Sequence, residues 1–199
     1  MFIERVHTGA RLVGRARTRE AVLAAARDLF LHQDPDLVGI REIATRADVS
    51  VGTVMSVGGK DSLVVEVVDG LIRDVHASRG PAVRDHERPS DQVMDLLRPF
   101  IDLFEMHQDL ARSYGGILIR GKCSSEVFGA LADQLIWEIH EVLTSAGAVA
   151  SDALRGAEAI HLTYLGALFR WSSSGTAATS MDITMLEKSV RHICEGTVR

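Results

Sequence analysis

The sequence predicts an all-α protein with about nine helices. Apolar side chains recur at helical spacing along most of the 199 residues, and no alternation of apolar and polar residues persists over the length of a strand. The stretch SRGPAVRDHERPS at residues 78–90 holds two prolines, mixed charge and few apolar groups, so it predicts a linker or a long loop. The length allows one domain, or a small helical head joined to a larger helical body.

Apolar stripes predict the first two helices. The first is expected from Thr18 to His32, and the QDPD segment at residues 33–36 ends it. Its stripe consists of Val22, Ala26, Leu29 and Phe30. A short second helix follows, because apolar residues again stand at positions i, i+3, i+4 and i+7, here Ile40, Ile43, Ala44 and Ala47.

The segment ADVS at residues 47–50 predicts a tight turn into a third, very short helix. Asp48 is expected to take the bend, because aspartate tolerates a left-handed backbone better than most residues. Ser50 is a good N-cap, since its hydroxyl can accept from a backbone N–H that the helix leaves unpaired. Val54 would face inward, with Val51, Thr53, Met55 and Ser56 facing outward. Two short helices joined in this way form a helix-turn-helix, whose second helix enters the major groove of DNA.

Six further helices are expected after this motif. The first of them, at residues 60–76, holds four valines that equally suit a strand, but its helical neighbours favour a helix. Pro99 lies inside the next one and is expected to kink or break it. The last five helices are expected at Asp91–Met106, Gln108–Ile119, Ser125–Ser145, Ser151–Trp171 and Met181–Glu195.

The charge distribution argues against a chain that binds polyanions along its whole length. The net charge is -5, but residues 1–60 carry nine Lys and Arg against seven Asp and Glu. Five arginines lie between Arg5 and Arg19 with no acid among them, which suits either a solvated arm or one that seeks phosphates. Two cysteines without paired spacing and no apolar stretch of about 18 residues predict a cytoplasmic protein that neither spans a membrane nor is secreted.

Other chemistries find little support in the sequence. A phosphate-binding nucleotide loop needs GxxxxGK followed by Ser or Thr, and this chain has Val54 and Asp61 in the critical places. His107, His140 and His161 come from three separate helices without the i, i+4 spacing of a metal site. No nucleophile elbow or paired carboxylate motif occurs, so we expect no enzyme, no metal and no cofactor.

Three segments together resemble one family of bacterial regulators. TREAVLAAARDLF, GIREIATRADVSVGTV and GGKDSL resemble, in order and spacing, the N-terminal DNA-binding domain of the tetracycline-repressor (TetR) family over about residues 15–65. The resemblance implies a three-helix DNA-binding head at residues 1–60, with the basic arm, and a helical ligand-binding and dimerisation body at residues 61–199. It also implies a homodimer formed by the last two helices, which represses at a palindromic operator on double-stranded DNA and is released by a small molecule.

The resemblance also implies which residues contact each partner. The expected DNA-binding residues are Arg17, Arg19, Arg41, Ser50, Val51, Gly52, Thr53, Met55, Ser56 and Lys60. For the small molecule, the body offers an aromatic and polar set near Pro99 and beyond it, which is equally suited to an ordinary core. That set is Phe100, Phe104, His107, Tyr114, Phe128, Trp137 and Tyr164.

Two departures from the family pattern keep an alternative open. Gly39 stands where members usually have a capping threonine, and Met55, Ser56 and Val57 replace the usual aromatic end of the third helix, with one residue fewer before Gly58. The expected phosphate-binding tyrosine is therefore absent. The alternative is a ligand-binding or interaction module of the same fold whose operator recognition is weakened or lost.

Overall fold

The described part of the chain is entirely helical. The computed structural model describes residues 3–79, 88–173 and 180–198, with side chains from residue 13 onward except that of residue 126. These residues contain nine α-helices and no strand, which confirms the predicted fold class. The helices are α1 (Ile3–His32), α2 (Ile40–Arg46), α3 (Val51–Val57), α4 (Lys60–Ser78), α5 (Pro89–Met106), α6 (Gln108–Ile119), α7 (Glu126–Ser145), α8 (Ala150–Ser173) and α9 (Ile183–Thr197).

Helix α1 begins well before the predicted start. Thr18, the expected first residue, lies inside the helix, and its hydroxyl donates to the carbonyl of Gly14 at 2.9 Å, four residues back. A threonine can make this bond inside a helix, where it caps nothing. The expected start at Thr18 is therefore wrong, whereas the expected end at His32 is confirmed.

The later helices lie close to their predicted bounds. Helix α5 runs through Pro99 without a break, and it begins two residues earlier than expected, with Pro89 in its first turn. Proline is well placed there because its missing N–H has no partner in the first turn of any helix. Helix α9 begins at Ile183, and the carboxylate of Asp182 caps it by accepting from the N–H of Met185 at 3.1 Å. None of the described helices is long and apolar enough to cross a membrane.

The chain divides into two compact units. Unit 1 consists of Met1–Val68 and Ser113–Ser124, and unit 2 consists of Asp69–Arg112 and Ser125–Arg199. Helices α4 and α6 therefore each contribute to both units. The functional division expected at residue 60 stays a prediction, because compactness does not tell which residues bind DNA.

Unit 1 has a small core that fixes α1, α2 and α3 against one another. Helix α1 packs against α2 and α3, and α2 packs against α3. Completely buried side chains come from each of the three helices and from the start of α4: Val22, Ala26, Ile43, Val54 and Leu63. Burial of such apolar groups is the main source of stability for a short helix.

Unit 2 is built around α5, α7, α8 and α9. Helix α8 packs against both α7 and α9, while α5 packs against α7 and α9. Gly156 of α8 makes this packing possible, because a Cβ there would lie 2.7 Å from the Thr197 hydroxyl and 3.1 Å from a Leu143 methyl group. The core includes Leu97, Ile101, Ile139, Leu143, Ile160 and Leu186, each almost fully buried.

Arg79 is buried although the sequence places it in the linker. Its guanidinium donates to Glu138 at 2.8 Å and to the carbonyl of Leu96 at 3.3 Å, and its side chain is only 9% exposed. The charged group also lies over the Phe100 ring, 4.9 Å from its centroid. The expectation of a linker with almost nothing to bury is therefore wrong at Arg79, which follows α4 and contacts residues in the interior of α5 and α7. Residues 80–87 of the linker lie outside the described residues.

A buried carboxylate anchors the start of α7. Asp69 is only 6% exposed, and its two oxygens lie 2.8 and 2.9 Å from the Ser125 hydroxyl, which donates to them. The same hydroxyl accepts from the N–H of Phe128 at 2.8 Å and so caps α7. A negative charge near a helix N-terminus is favourable, because the helix dipole is positive there. Ser125 thus caps α7 and also donates a hydrogen bond to the buried carboxylate of Asp69.

The double role of Ser125 predicts a large effect from one small substitution. Ser125→Ala should lower the free energy of unfolding by about 1–3 kcal/mol, because it removes a cap and takes a donor from a buried carboxylate. Urea unfolding followed by circular dichroism measures the change. Ser124→Ala is the matched control, since Ser124 is exposed and should be neutral. Equal stability of the Ser125 and Ser124 variants would contradict the assignment.

Candidate DNA-binding site

The turn between α2 and α3 has a defined left-handed geometry. Asp48 has a φ of 53°, and it is the only non-glycine residue with positive φ in the described chain, as the sequence led us to expect. The N–H of Asp48 donates to the carbonyl of Thr45 at 3.2 Å, and that of Val49 donates to the carbonyl of Ala44 at 3.0 Å. This pair of bonds is the Schellman arrangement, which satisfies the last carbonyls of a helix and reverses the chain sharply. The turn therefore sets the direction in which α3 leaves α2.

Ser50 caps α3 as the sequence predicts. Its hydroxyl oxygen accepts from the N–H of Thr53 at 3.1 Å. The hydroxyls of Ser50 and Thr53 also lie 2.8 Å apart and share a hydrogen bond. Thr53 is thereby held in one orientation at the exposed start of the helix, with one of its hydrogen bonds already made.

One residue of α3 is buried and the opposite side faces solvent. Val54 is 0% exposed, whereas Val51 and Met55 are 42% and 54% exposed. Gly52 and Ser56 are exposed as well, and the Ser56 hydroxyl donates to the carbonyl of Thr53 at 2.7 Å. The outward surface of α3 therefore combines two apolar side chains with hydroxyl groups, which is the mixture that can read thymine methyls and base edges in a major groove.

The cations predicted to contact phosphate differ in their surroundings. Arg17 and Arg41 are exposed. Arg19 instead forms an ion pair with Glu66, and the ammonium of Lys60 donates to the carbonyl of Asp36 at 3.0 Å. Both contacts lie near the surface, where an ion pair or hydrogen bond contributes little and can be exchanged for a phosphate contact.

The first turn of α2 is open, as the sequence suggests. Gly39 is its N-cap and makes no side-chain hydrogen bond. Glu42 in that turn accepts from the side-chain amide of Gln33 at 3.1 Å. The exposed first turn therefore leaves the Arg41 side chain facing solvent.

Comparison with known proteins agrees with this geometry. Residues 22–67 match the family model for bacterial regulatory proteins of the tetR family, and this range spans α2, the turn and α3. This match identifies residues 22–67 as a DNA-binding domain of the tetR type. No protein with a curated description matches the chain.

Solved structures of TetR-family regulators share the fold at low sequence identity. A TetR regulator from Streptomyces coelicolor is 16% identical with a TM-score of 0.62, over 90% of this chain and 97% of that chain. A transcriptional regulator from Rhodococcus sp. Rha1 is 19% identical with a TM-score of 0.60, over 90% and 95% of the two chains. A TetR regulator from Rhodococcus sp. RHA1 is 17% identical with a TM-score of 0.59, over 92% and 96%. At such identities the likeness concerns the fold.

The aromatic set predicted for the small molecule of a TetR-family regulator is mostly buried. Phe100, Phe104, Tyr114 and Tyr164 are each at most 9% exposed. Burial also raises the pKa of the Tyr164 hydroxyl, which therefore stays protonated. Tyr114 belongs to unit 1, and the other six residues of the set belong to unit 2.

The remaining members of the set lie in more open surroundings. His107 is the C-cap of α5, and Phe128 is half-buried on α7. Trp137 is 60% exposed and stacks on His140, with ring centroids 4.9 Å apart. These positions suit an entrance or an outer surface better than the closed interior of a cavity.

Two features of unit 2 could not be found by searching the sequence for motifs. Arg79 and His76 both contact the Phe100 ring, and the pKa of His76 is lowered mainly by burial and further by the adjacent guanidinium. The guanidinium of Arg112 lies 5.9 Å from the centroid of the buried Trp171 ring. Each contact joins residues far apart in the chain, so no local pattern marks it.

The histidines considered as metal ligands do not group together. His140 and His161 are buried on α7 and α8, and burial lowers the pKa of His161 although Asp133 partly opposes this shift. Within the described ranges, no three His, Cys, Asp or Glu side chains form a group able to hold a metal ion.

The left-handed turn predicts opposite results for two substitutions of Asp48. Asp48→Val should lower the free energy of unfolding by about 1–2 kcal/mol, because a β-branched residue resists a left-handed backbone. Asp48→Gly should be close to neutral, since glycine takes that backbone without strain. Urea unfolding measures both, and the glycine variant controls for loss of the carboxylate. Equal losses in the two variants would show that the carboxylate matters and the backbone does not.

Proposed function

We propose that this chain is a dimeric transcriptional repressor that binds a palindromic operator through α3 and is released by a small molecule. The observation that carries the proposal is the geometry of α3, with Val54 buried, Ser50 capping its start, and Val51 and Met55 exposed. A helix-turn-helix places such a second helix in the major groove. The match of residues 22–67 to bacterial regulatory proteins of the tetR family supports the same role.

Base recognition is assigned to the outward side of α3. Val51 and Met55 offer apolar contacts for thymine methyl groups, and the hydroxyls of Thr53 and Ser56 suit base edges or phosphates. Gly52 lets the backbone come close to DNA because it has no side chain. Arg17 and Arg41 supply phosphate contacts, which position the protein without reading the sequence. Arg19 and Lys60 join them if phosphates displace their present partners.

An alternative function rests on the contacts that Arg19 and Lys60 already make within the protein. Arg19 pairs with Glu66, and Lys60 is held by the Asp36 carbonyl, so two expected phosphate ligands are engaged within the protein. In addition, Gly39 provides no capping side chain for α2, and no tyrosine follows Met55. The chain would then be a ligand-binding or interaction module that binds operators weakly or not at all. Salt-dependent DNA binding separates the two functions.

The dimer is assigned to α8 and α9. Their buried sides pack on each other and on the rest of unit 2, while large apolar groups remain at the surface. Leu154, Leu162 and Phe169 of α8 and Met185 of α9 are between 37% and 67% exposed. Leu154, Leu162 and Phe169 lie seven or eight residues apart, which keeps them on one side of the helix. Two such helices from each copy suit a two-fold four-helix seam.

The effector is proposed to bind in the body through the buried aromatic residues of unit 2. Phe100, Phe104 and Tyr164 offer apolar surface, and the Tyr164 hydroxyl and His107 offer polar groups. An effector and an operator would oppose each other by a coupling of about 1–3 kcal/mol, the usual range for two sites in one protein. The proposal assigns no catalytic role, and it places the protein in the cytoplasm, where a bacterial operator is found.

DNA binding tests the proposed function directly. A duplex selected by affinity from a random library should bind tightly, and Met55→Ala should weaken that duplex far more than unrelated DNA, because it removes a base contact. Arg41→Gln should weaken both alike and reduce the salt slope by about one, as loss of a phosphate contact does. Fluorescence anisotropy measures both effects. Arg73→Gln, which alters an exposed cation of α4 in unit 2, is the control. Absence of salt-dependent binding by the unaltered protein would favour the alternative function.

Oligomeric state tests the proposed seam. Leu162→Glu should raise the dimer dissociation constant by at least about 100-fold, roughly 2.8 kcal/mol, because it buries two unpaired charges near a two-fold axis. Sedimentation velocity measures the shift from dimer to monomer. Leu37→Glu is the matched control, since Leu37 is 80% exposed in unit 1 and lies outside the seam. A dimeric Leu162→Glu protein would place the interface elsewhere.

A further inference from the structure

A short basic segment far along the chain belongs to unit 1. Residues 113–124 include the end of α6 and the loop after it, and they cluster with residues 1–68. They carry two cations and no acid, whereas residues 1–68 carry nine cations and nine acids. The net positive charge of unit 1 therefore comes entirely from Arg120 and Lys122.

The loop reaches the first turn of α4. Gly121 has a φ of 63°, and its N–H donates to the carbonyl of Leu118 at 3.0 Å, so the chain turns sharply as α6 ends. After this turn the ammonium of Lys122 lies 3.6 Å from the carboxylate of Asp61. Asp61 follows Lys60 directly, and only Gly58 and Gly59 separate α3 from α4. Lys122 thus lies beside the first turn of α4, the helix that directly follows α3 in the chain.

The ion pair of Lys122 with Asp61 contributes little to the stability of the fold. Lys122 and Asp61 are 59% and 40% exposed, and an ion pair in water contributes little to folding because solvent screens it. Arg120 is also exposed, and its guanidinium lies along α6 beside Gly116. Instead, Lys122 changes the charge beside the exposed acid at the start of α4, and Arg120 adds a second exposed cation two residues earlier in the chain.

We propose that Lys122, together with Arg120 two residues before it in the chain, is a second phosphate-contacting segment of the DNA-binding surface. The occupant is a backbone phosphate of the operator duplex, which approaches the first turn of α4 where Asp61 alone would repel it. Lys122 offsets that carboxylate and donates to the phosphate. This inference rests on the proposed function, and it assigns DNA contact to a loop outside the helix-turn-helix.

The salt dependence of operator binding tests the segment. Each phosphate contact contributes about 0.9 to the slope of log affinity against log salt, so one lost contact removes about a 3.5-fold change between about 50 and 200 mM salt. Lys122→Gln and Arg120→Gln should each reduce the slope by the contribution of about one phosphate contact. The double variant should reduce it by the contribution of about two. Lys122→Arg should retain the slope, and Arg73→Gln should leave it unchanged. Unaltered unfolding midpoints show that the variants are folded.

A second background separates direct contact from simple neutralisation of Asp61. Asp61→Asn should tighten binding by itself, because it removes the repelling acid. In that background Lys122→Gln should still reduce the slope if Lys122 contacts a phosphate. Full rescue of Lys122→Gln by Asp61→Asn would overturn the contact, and so would unchanged slopes in all loop variants of a protein that binds its operator. A protein without any salt-dependent DNA binding would overturn both this inference and the proposed function.

Discussion

The left-handed turn at Asp48 is the constraint on which the rest of the candidate DNA-binding surface depends. It lets α2 end in two backbone hydrogen bonds and directs the chain at once into the Ser50 cap of α3. A helix of seven residues has too few internal hydrogen bonds to be stable alone, so its position must come from its ends and its packing. The turn and the cap supply the start, and Val54 supplies the packing. Every outward residue of α3 takes its direction from these three.

Local chemistry explains why this part of the molecule could be predicted from the sequence. A left-handed aspartate, a capping serine and one inward valine each act within a few residues, and each is found where the pattern indicates. The start of α1 was wrongly predicted at Thr18, because the helix extends back to Ile3 and the Thr18 hydroxyl bonds to a carbonyl one turn earlier in it. The start of α7 was predicted well because the Ser125 cap marks it, whereas α5 begins at Pro89, two residues before its predicted start.

Contacts between distant segments could not be predicted in this way. Arg79 follows α4 in a stretch that reads as a linker, yet Glu138 and the Phe100 ring make it a buried residue. The partnership of Asp69 with Ser125, and that of Asp61 with Lys122, likewise join residues more than fifty positions apart. Periodicity shows which side of a helix is apolar, but it contains no information about which distant helix covers that side. The residues of the candidate site could therefore be proposed from the sequence. The distant residues that contact them could not.

Charge distribution limits how such a protein can hold DNA. The whole chain carries a net charge of -5, so long-range attraction to a polyanion is weak and binding must come from short-range contacts. On the proposed function, one copy of α3 and a few cations form a small contact surface. A second copy linked through α8 and α9 makes its own contacts at high effective concentration, which multiplies the affinity without any new kind of contact. The same linkage makes DNA binding sensitive to the spacing of the two copies. A small molecule that alters this spacing by binding in unit 2 would then reduce operator affinity without touching α3.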